Sequence, residues 1–305
     1  MKLNGTYIAP VTPVLDNGKI DMDQFLEVLS FLLEKGVDGF CIGGGTSEYV
    51  HFTVAERTDL LGEARSVARD GKKIFFAIGA SSFSRVMDLA FCADHLGVDA
   101  ILLPMPHFFT YSQDDLEFFC RRVSRQAESP VVLYDLPFFT NPLESESILR
   151  LLEEEDGIVG IKDSSGKTGR FKQFAEKFAG DSSKEVSLLI GQDPFALEAL
   201  ESGWDGIISG LGCLCPELLV CLHESFKRGD LSTSARCRDL INEINTPVSG
   251  LPVPWAIRYG LEVRGIPCGP VSLPLSAERK AGKKEYQAWF ENWLENNSGL
   301  WQNYS

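Results

Sequence analysis

A single lysine, Lys162, follows the apolar run IVGI at residues 158–161. A cation next to a buried strand must reach solvent, find a counter-ion or lose its proton. Desolvation lowers the pKa of an amine, and a neutral amine attacks ketones to form a Schiff base. Lys162 is the only lysine near the end of a predicted strand, so we expect a nucleophile with a lowered pKa. A lysine that extends to solvent, or that pairs with Asp163, is the alternative.

Two further segments carry groups that could assist such an amine. Tyr134 lies near the end of the apolar run VVLYD, and its phenol could move protons between the amine and a substrate. A tyrosine ring packed in the core is the alternative. The segment GGGTSE at 43–48 is a turn whose successive N–H groups can converge on an anion, with the Thr46 hydroxyl as an extra donor. A plain strand-to-helix turn, in which Glu48 caps the next helix, is equally open.

Elements that could position these residues recur along the chain, where short apolar runs alternate with amphipathic stretches. The stretch DMDQFLEVLSFLLEKG, for example, places Phe25, Val28 and Leu32 on one helical face and stops at Gly36. Apolar strands that alternate with helices indicate a parallel sheet covered by helices. Residues 1–230 therefore predict an α/β fold, a closed (β/α)8 TIM barrel, with an open doubly wound sheet as the rival. The predicted strands are 5–13, 39–44, 73–80, 100–105, 130–137, 158–164, 186–193 and 206–212.

The remainder of the chain, 231–305, breaks this alternation. It reads as helices separated by Pro and Gly turns, which predicts a C-terminal helical extension packed on the barrel. No GxGxxG follows the first predicted strand, and this argues against a dinucleotide-binding domain.

Composition limits the classes of partner. The 305 residues carry a net charge of −14, with a pI near 4.8, which argues against nucleic acid or an anionic membrane as a partner. No apolar run reaches the about 18 residues of a membrane helix, and the first residues lack a signal-peptide pattern. The eight cysteines show no CxxC spacing and the four histidines are scattered. We therefore expect buried reduced thiols, no metal site and a cytoplasmic location.

A TIM barrel carries its reactive groups at the carboxyl ends of its strands. This arrangement would bring Lys162, Tyr134 and the GGGTSE turn to one mouth. Thr12, at the end of the first predicted strand, and Gly191, at the end of the seventh, would join the lining of the same pocket.

Five motifs occur in an order that resembles one family. GTYIAPVTP, GGTSE, YDLP, GIKDSSG and GQD, over about residues 5–225, are similar to motifs of the dihydrodipicolinate synthase and N-acetylneuraminate lyase family of class I aldolases. The resemblance implies that Lys162 forms a Schiff base with pyruvate or a longer 2-keto acid and that Tyr134 relays protons. It also implies that Gly45 and Thr46 bind the substrate carboxylate and that the Ile208 carbonyl lines the pocket. It further implies a homotetramer or dimer without a metal or organic cofactor.

Departures from the family pattern bear on the substrate. The synthase has a second tyrosine, contributed across a subunit contact, where this chain has Phe108. It also has an arginine for a substrate carboxylate where this chain has Phe139, and phenylalanine cannot form that bidentate pair. Both rings predict a more apolar distal pocket, into which Tyr111 could bring a hydroxyl. Asp135 replaces the usual asparagine and could add negative charge near the site or make a polar contact.

The expected chemistry follows from the Schiff base itself. Its cationic nitrogen accepts electrons, which eases carbon–carbon cleavage, condensation and loss of a β-hydroxyl. We expect a lyase on a sugar-derived or aromatic 2-keto acid that releases or consumes pyruvate. A 2-keto-3-deoxy sugar acid dehydratase is the first alternative, and 4-hydroxy-tetrahydrodipicolinate (dihydrodipicolinate) synthase activity is the second. A barrel that only binds a keto acid is the non-enzyme alternative.

Overall fold

Eight parallel strands close into a barrel, each paired with the strands before and after it in the sequence. A computed structural model describes residues 2–68, 71–178, 184–252 and 254–300. The ring closes where β1 pairs in parallel with β8. The prediction of a (β/α)8 TIM barrel is therefore confirmed, and the doubly wound alternative is wrong. The strands are β1 (Gly5–Ile8), β2 (Gly39–Ile42), β3 (Lys73–Ala77), β4 (Ala100–Pro104), β5 (Val131–Asp135), β6 (Ile158–Asp163), β7 (Ser187–Ile190) and β8 (Gly206–Ser209).

Helices follow the strands and cover the outside of the barrel, and local sequence sets several of their ends. Thr53 and Ser112 each begin a helix with a capping box, completed by Glu56 and Asp115. Gly97 ends a helix in the left-handed conformation. The helices of the barrel are α1 (Met22–Glu34), α2 (Val54–Val67), α3 (Phe83–Leu96), α4 (Gln113–Ser124), α5 (Ser145–Glu154), α6 (Gly169–Phe178), α7 (Ala196–Glu201) and α8 (Pro216–Lys227).

Side chains inside the barrel are large at the amino ends of the strands and smaller toward the carboxyl ends. The rings of Tyr7 and Phe75 pack edge to face with centroids 4.7 Å apart. Two residues further along their strands, Ala9 and Ala77 occupy the same inner surface. Large side chains therefore fill the amino end of the barrel, and smaller side chains line its interior toward the carboxyl end.

Three helices, α9 (Leu231–Ser249), α10 (Trp255–Val263) and α11 (Ala277–Asn297), form a C-terminal helical extension, as predicted. On α11 the rings of Tyr286, Phe290 and Trp293 stack on one buried face. From α10, Arg258 reaches the backbone carbonyl of Thr12 at 2.9 Å, after the end of β1. The extension thus touches the mouth of the barrel as well as its side. Residues 301–305 lie outside the described residues.

Several boundaries differ from the predicted ones. The first strand ends at Ile8, whereas the sequence predicted strand through residue 13, because Pro10 and Pro13 cannot donate hydrogen bonds to a ladder. The helix predicted after the seventh strand is split into a short 3₁₀ helix (Asp193–Phe195) and α7. Within the part of the chain that the structure describes, no helix combines the length and apolarity needed to cross a membrane.

Candidate active site

Lys162 and Tyr134 are directly paired neighbours on β6 and β5. The Lys162 amine lies over the Tyr134 ring, 4.1 Å from its centroid. Both side chains are buried, with exposed fractions of 4% and 5%. The lysine does not extend into bulk solvent, and Asp163 pairs with Arg170 instead of with the lysine. The tyrosine ring packs in the barrel interior, as the alternative held, and it also contacts the amine.

Several acidic groups surround this amine and decide its charge. Burial lowers the pKa of Lys162, but the phenol of Tyr134, the thiol of Cys41 and the carboxylate of Asp193 favour the ammonium form. The net pKa of Lys162 is raised above the ordinary lysine value, so the expectation of a lowered pKa is wrong. That expectation considered desolvation alone, whereas the folded chain places proton-sharing neighbours around the nitrogen. The resting amine is therefore charged and must lose a proton before it can attack.

A carboxylate that the sequence analysis gave no role, that of Asp193, belongs to the same mouth. It accepts a hydrogen bond from the Ser209 hydroxyl at the end of β8 and one from the Leu211 N–H at 3.3 Å. Burial raises the pKa of Asp193 to about 6, although these hydrogen bonds and the Lys162 charge lower it. The sequence signals were that Asp193 closes the GQD motif and that both residues lie near the ends of predicted strands. A carboxylate therefore lies near the amine, and Ser209 holds that carboxylate in place.

The loop after β2 faces Tyr134. Gly43 adopts a positive φ of 71°, which turns the chain across the mouth. A methyl group on Gly45 would lie 4.0 Å from the Tyr134 hydroxyl, so the backbone of this loop borders the catalytic pair. Among the described residues, the N–H groups of Gly45 and Thr46 donate no hydrogen bond, and both remain available for an anion. The Thr46 hydroxyl packs against Gly210, on the loop after β8.

Gly191, after β7, leaves the space that Lys162 occupies. A Cβ at this position would lie 2.1 Å from Ser164 Oγ and 2.8 Å from Lys162 Cε, closer than such atoms can approach. The Gly191 N–H also donates to the Asp163 carbonyl at 2.8 Å. The lysine side chain therefore depends on a glycine on the neighbouring strand.

Gly191→Ala is expected to displace the lysine and lower the rate of any reaction through its amine by about tenfold to a hundredfold, as misplacement of a reacting group does. The measurement is the rate at which borohydride traps pyruvate on the protein. Gly62→Ala is the matched control, because its Cβ meets nothing within 4 Å in α2. Equal trapping rates in the two variants would contradict this role of Gly191.

Asp135 and Asp163 follow Tyr134 and Lys162 and point the opposite way, because side chains alternate along a strand. Both are buried, and the guanidinium of Arg170 on α6 donates to Asp135 at 2.6 Å and to Asp163 at 3.1 Å. Asp135 therefore lies between the sheet and the helices rather than in the pocket that the sequence analysis considered. The arginine ties together the ends of the two strands that carry the lysine and the tyrosine.

The remaining expected pocket residues lie in two different environments. Thr12 and Ile208 are buried, and the Thr12 hydroxyl has no partner among the described residues. Phe108, in contrast, is 91% exposed and has a positive φ of 77°. Phe139 and Tyr111 are also exposed, and Asn141 holds the two loops together through the Phe109 carbonyl and the Tyr111 N–H. These aromatic rings border the mouth and face solvent in the single chain.

Comparison with known proteins gives consistent results. The family model of the dihydrodipicolinate synthetase family matches residues 2–292. A relative from Escherichia coli K12, named "Probable 2-dehydro-3-deoxy-D-pentonate aldolase", is 28% identical over 92% of this chain and 95% of its own length. The 4-hydroxy-tetrahydrodipicolinate synthase of Methanopyrus kandleri is 29% identical over 93% and 94%.

Solved structures agree over nearly the full length. The 4-hydroxy-tetrahydrodipicolinate synthase from Methylacidiphilum fumariolicum SolV superposes with a TM-score of 0.88 at 25% identity, covering 98% of this chain and all of that one. The sialic acid aldolase of Ruminococcus gnavus shares the fold with a TM-score of 0.86 at 22% identity, covering 97% and 99%. The chain therefore belongs to the dihydrodipicolinate synthetase family of lysine Schiff-base lyases.

Proposed function

We propose that the chain is a pyruvate-releasing or pyruvate-consuming aldolase that acts on a 2-keto acid through a Schiff base on Lys162. The observation that carries this proposal is the buried Lys162 amine against the Tyr134 ring, with the unpaired N–H groups of Gly45 and Thr46 beside that tyrosine. The amide groups would bind the carboxylate next to the ketone, and Thr12, Gly191 and Ile208 would line the pocket.

The reaction begins when the Lys162 ammonium transfers a proton and the neutral amine attacks the C2 carbonyl. Water leaves, and the resulting iminium carbon withdraws electrons from the neighbouring carbon–carbon bond. For an aldol cleavage, a base takes the proton of the C4 hydroxyl and the C3–C4 bond breaks. Its electron pair forms an enamine with the iminium, and C4 leaves as the carbonyl carbon of an aldehyde. Tyr134 is placed to move these protons because its ring contacts the amine. Protonation of the enamine and hydrolysis of the imine release pyruvate and the free lysine.

Asp193 and Phe139 favour a hydroxylated substrate over an aldehyde that bears a charged carboxylate. The Asp193 carboxylate lies near the Lys162 amine and can accept a hydrogen bond, whereas Phe139 stands where a carboxylate-binding arginine would be needed for the synthase reaction. The name of the E. coli relative agrees with a 2-keto-3-deoxy sugar acid as substrate. A sugar acid dehydratase uses the same imine and is the second candidate, because Asp193 could protonate a departing β-hydroxyl. Dihydrodipicolinate synthase activity ranks third.

Reduction with borohydride in the presence of pyruvate tests the covalent step. We expect a mass increase on the peptide that contains Lys162. Sugar acids are then screened while pyruvate and 2-keto products are assayed separately. Pyruvate that appears with an aldehyde identifies an aldolase, and a dehydrated keto product without pyruvate identifies a dehydratase. If the wild-type chain traps no 2-keto acid, the proposal fails and the non-enzyme alternative gains support.

The raised pKa of Lys162 predicts the pH dependence of its reactivity. Because a raised pKa keeps the amine protonated to higher pH, the neutral fraction rises about tenfold per pH unit below that pKa. We expect trace labelling by acetic anhydride, followed by mass spectrometry, to show Lys162 reactivity still rising beyond pH 10.5, the ordinary lysine value. The exposed Lys167 serves as an internal reference in the same digest. A Lys162 plateau below that pH would contradict the assigned direction.

We further propose a cytoplasmic homo-oligomer, a tetramer or dimer, that needs neither a metal nor an organic cofactor. Exposed rings support the self-association, because large adjacent apolar side chains at a surface mark contact sites. The rings concerned are those of Phe108, Phe109, Phe138 and Phe139. Light scattering that finds only monomer at micromolar concentration would contradict the oligomer.

A further inference from the structure

Glu48 has a backbone conformation that its residue type disfavours. Its φ of 54° and ψ of 40° place it in the left-handed helical region, where a Cβ crowds the following carbonyl. Such a conformation persists only where surrounding contacts impose it, and it is concentrated at functional sites. Glu48 directly follows the segment that holds the free N–H groups of Gly45 and Thr46.

The side chain of Glu48 is anchored by Arg258 of the C-terminal extension. Glu48 Oε2 accepts a hydrogen bond from Arg258 Nη1 at 3.0 Å, and the two side chains are only 9% and 1% exposed. Arg258 also donates to the carbonyls of Thr12 at 2.9 Å, Cys268 at 2.5 Å and Pro270 at 2.7 Å. The arginine is therefore fixed by three carbonyls from two backbone segments, which restricts the rotation of the Glu48 carboxylate that it holds.

Glu48 passes this constraint to the loop through its backbone. Its N–H donates to the Gly45 carbonyl at 3.0 Å, and the neighbouring Ser47 hydroxyl donates to the Pro10 carbonyl at 2.8 Å. If Glu48 relaxed to an ordinary φ, the hydrogen bond to Gly45 would break and the turn would open. The backbone of Gly45 and Thr46 would then lose its place beside Tyr134.

We propose that Glu48 and Arg258 are positioning residues that hold the carboxylate-binding turn in its active geometry, so that α10 helps determine substrate affinity. The inference rests on the proposed function. Neither residue touches the reacting atoms: Arg258 acts on Glu48, and Glu48 acts on the Gly45–Thr46 backbone. A defect in the pair should therefore weaken binding of the keto acid carboxylate while it leaves the chemistry of a bound substrate nearly intact.

Borohydride trapping over a range of pyruvate concentrations separates these effects. Glu48→Ala removes the side chain that Arg258 holds, but the residue still carries a Cβ that disfavours the left-handed conformation. The half-saturating pyruvate concentration is therefore expected to rise about tenfold or more, while the trapping rate at saturation changes by less than about threefold. Glu48→Gly removes the same anchor and permits the left-handed conformation, so the rise should be smaller than in Glu48→Ala. A purely structural role would change the stability of these variants and leave their half-saturating pyruvate concentrations equal, so it would not give this order.

Arg258→Met tests the other partner, with Arg264→Met as its matched control. Arg264 follows α10 and pairs with the buried Glu217 at 2.6 Å, but that pair does not contact the loop after β2. Both variants should lose thermal stability, and only Arg258→Met should raise the half-saturating pyruvate concentration, by about tenfold or more.

The outcomes separate this inference from the proposed function. If wild type traps pyruvate and all four variants saturate at the same concentration as wild type, the positioning role is wrong and the Schiff base stands. If the half-saturating pyruvate concentration of Glu48→Gly equals or exceeds that of Glu48→Ala, the backbone argument is wrong. If wild type does not trap pyruvate, the proposed function and this inference both fail. Should Arg258→Met not fold, the Glu48 pair of variants still decides the question.

Discussion

Lys162→Met is expected to abolish both borohydride trapping and turnover, with a loss of about 10³-fold or more in rate, because Lys162 supplies the amine that forms the imine. Methionine fills a similar volume without an amine, so the buried site should stay packed. Mass spectrometry of the trapped protein and a steady-state assay on the screened substrate measure the two losses. The size of the effect follows from the loss of the covalent pathway as a whole.

The matched control is Lys167→Met, five residues further along on the exposed loop before α6. Its trapping and turnover should equal those of wild type, because a surface lysine has no part in the pocket. If Lys162→Met retained trapping, or if Lys167→Met lost it, the assignment of Lys162 as the nucleophile would be wrong.

Arg170→Met is expected to produce the largest loss of stability, about 3–5 kcal/mol in the free energy of unfolding. The substitution leaves the Asp135 and Asp163 carboxylates buried without their cation, and it also removes the hydrogen bond to the Leu143 carbonyl at 2.6 Å. Urea denaturation followed by circular dichroism measures the change. The free energy of unfolding of Arg170→Lys should lie between those of wild type and Arg170→Met. An ammonium group restores the charge but lacks the planar fork of the guanidinium.

Lys172→Met is the control on the same helix. Its side chain is 81% exposed and pairs with Glu176, so its removal should change the free energy of unfolding by less than about 0.5 kcal/mol. A loss below about 1 kcal/mol in Arg170→Met would show that the buried cluster is not what holds the ends of β5 and β6.

The fold could be predicted from the sequence because its signals are local. Short apolar runs, such as residues 158–161, alternate with helices that stop at a glycine, such as Gly36, often enough to favour a barrel. The proximity of Lys162 and Tyr134 was predictable for the same reason, because strands of a parallel barrel all end at one mouth. The early end of the first strand also has a local cause, Pro10. The prediction gave more weight to the apolar pattern of the segment than to this proline.

Other features could not be predicted because they depend on residues far apart in the sequence. The Glu48–Arg258 pair spans 210 residues, and no spacing rule connects them. The charge of the lysine amine depends on Tyr134, Cys41 and Asp193, and these three residues belong to the ends of three different strands. A sequence shows that a lysine is buried, but the acids that share its proton become visible only when the barrel closes.

The alternation of side chains along β6 has a genetic consequence. Lys162 faces the mouth and Asp163 faces the helices, so two adjacent residues of the strand lie on opposite faces of the sheet. An in-frame indel of a single codon that the register shift at residues 158–160 did not absorb would turn the Asp163 carboxylate toward the mouth and the Lys162 side chain toward the helices. Such an allele could encode a chain with a normal amount of helix and strand that has no nucleophile, so indels in this strand should be tolerated far less than indels in the loops around it.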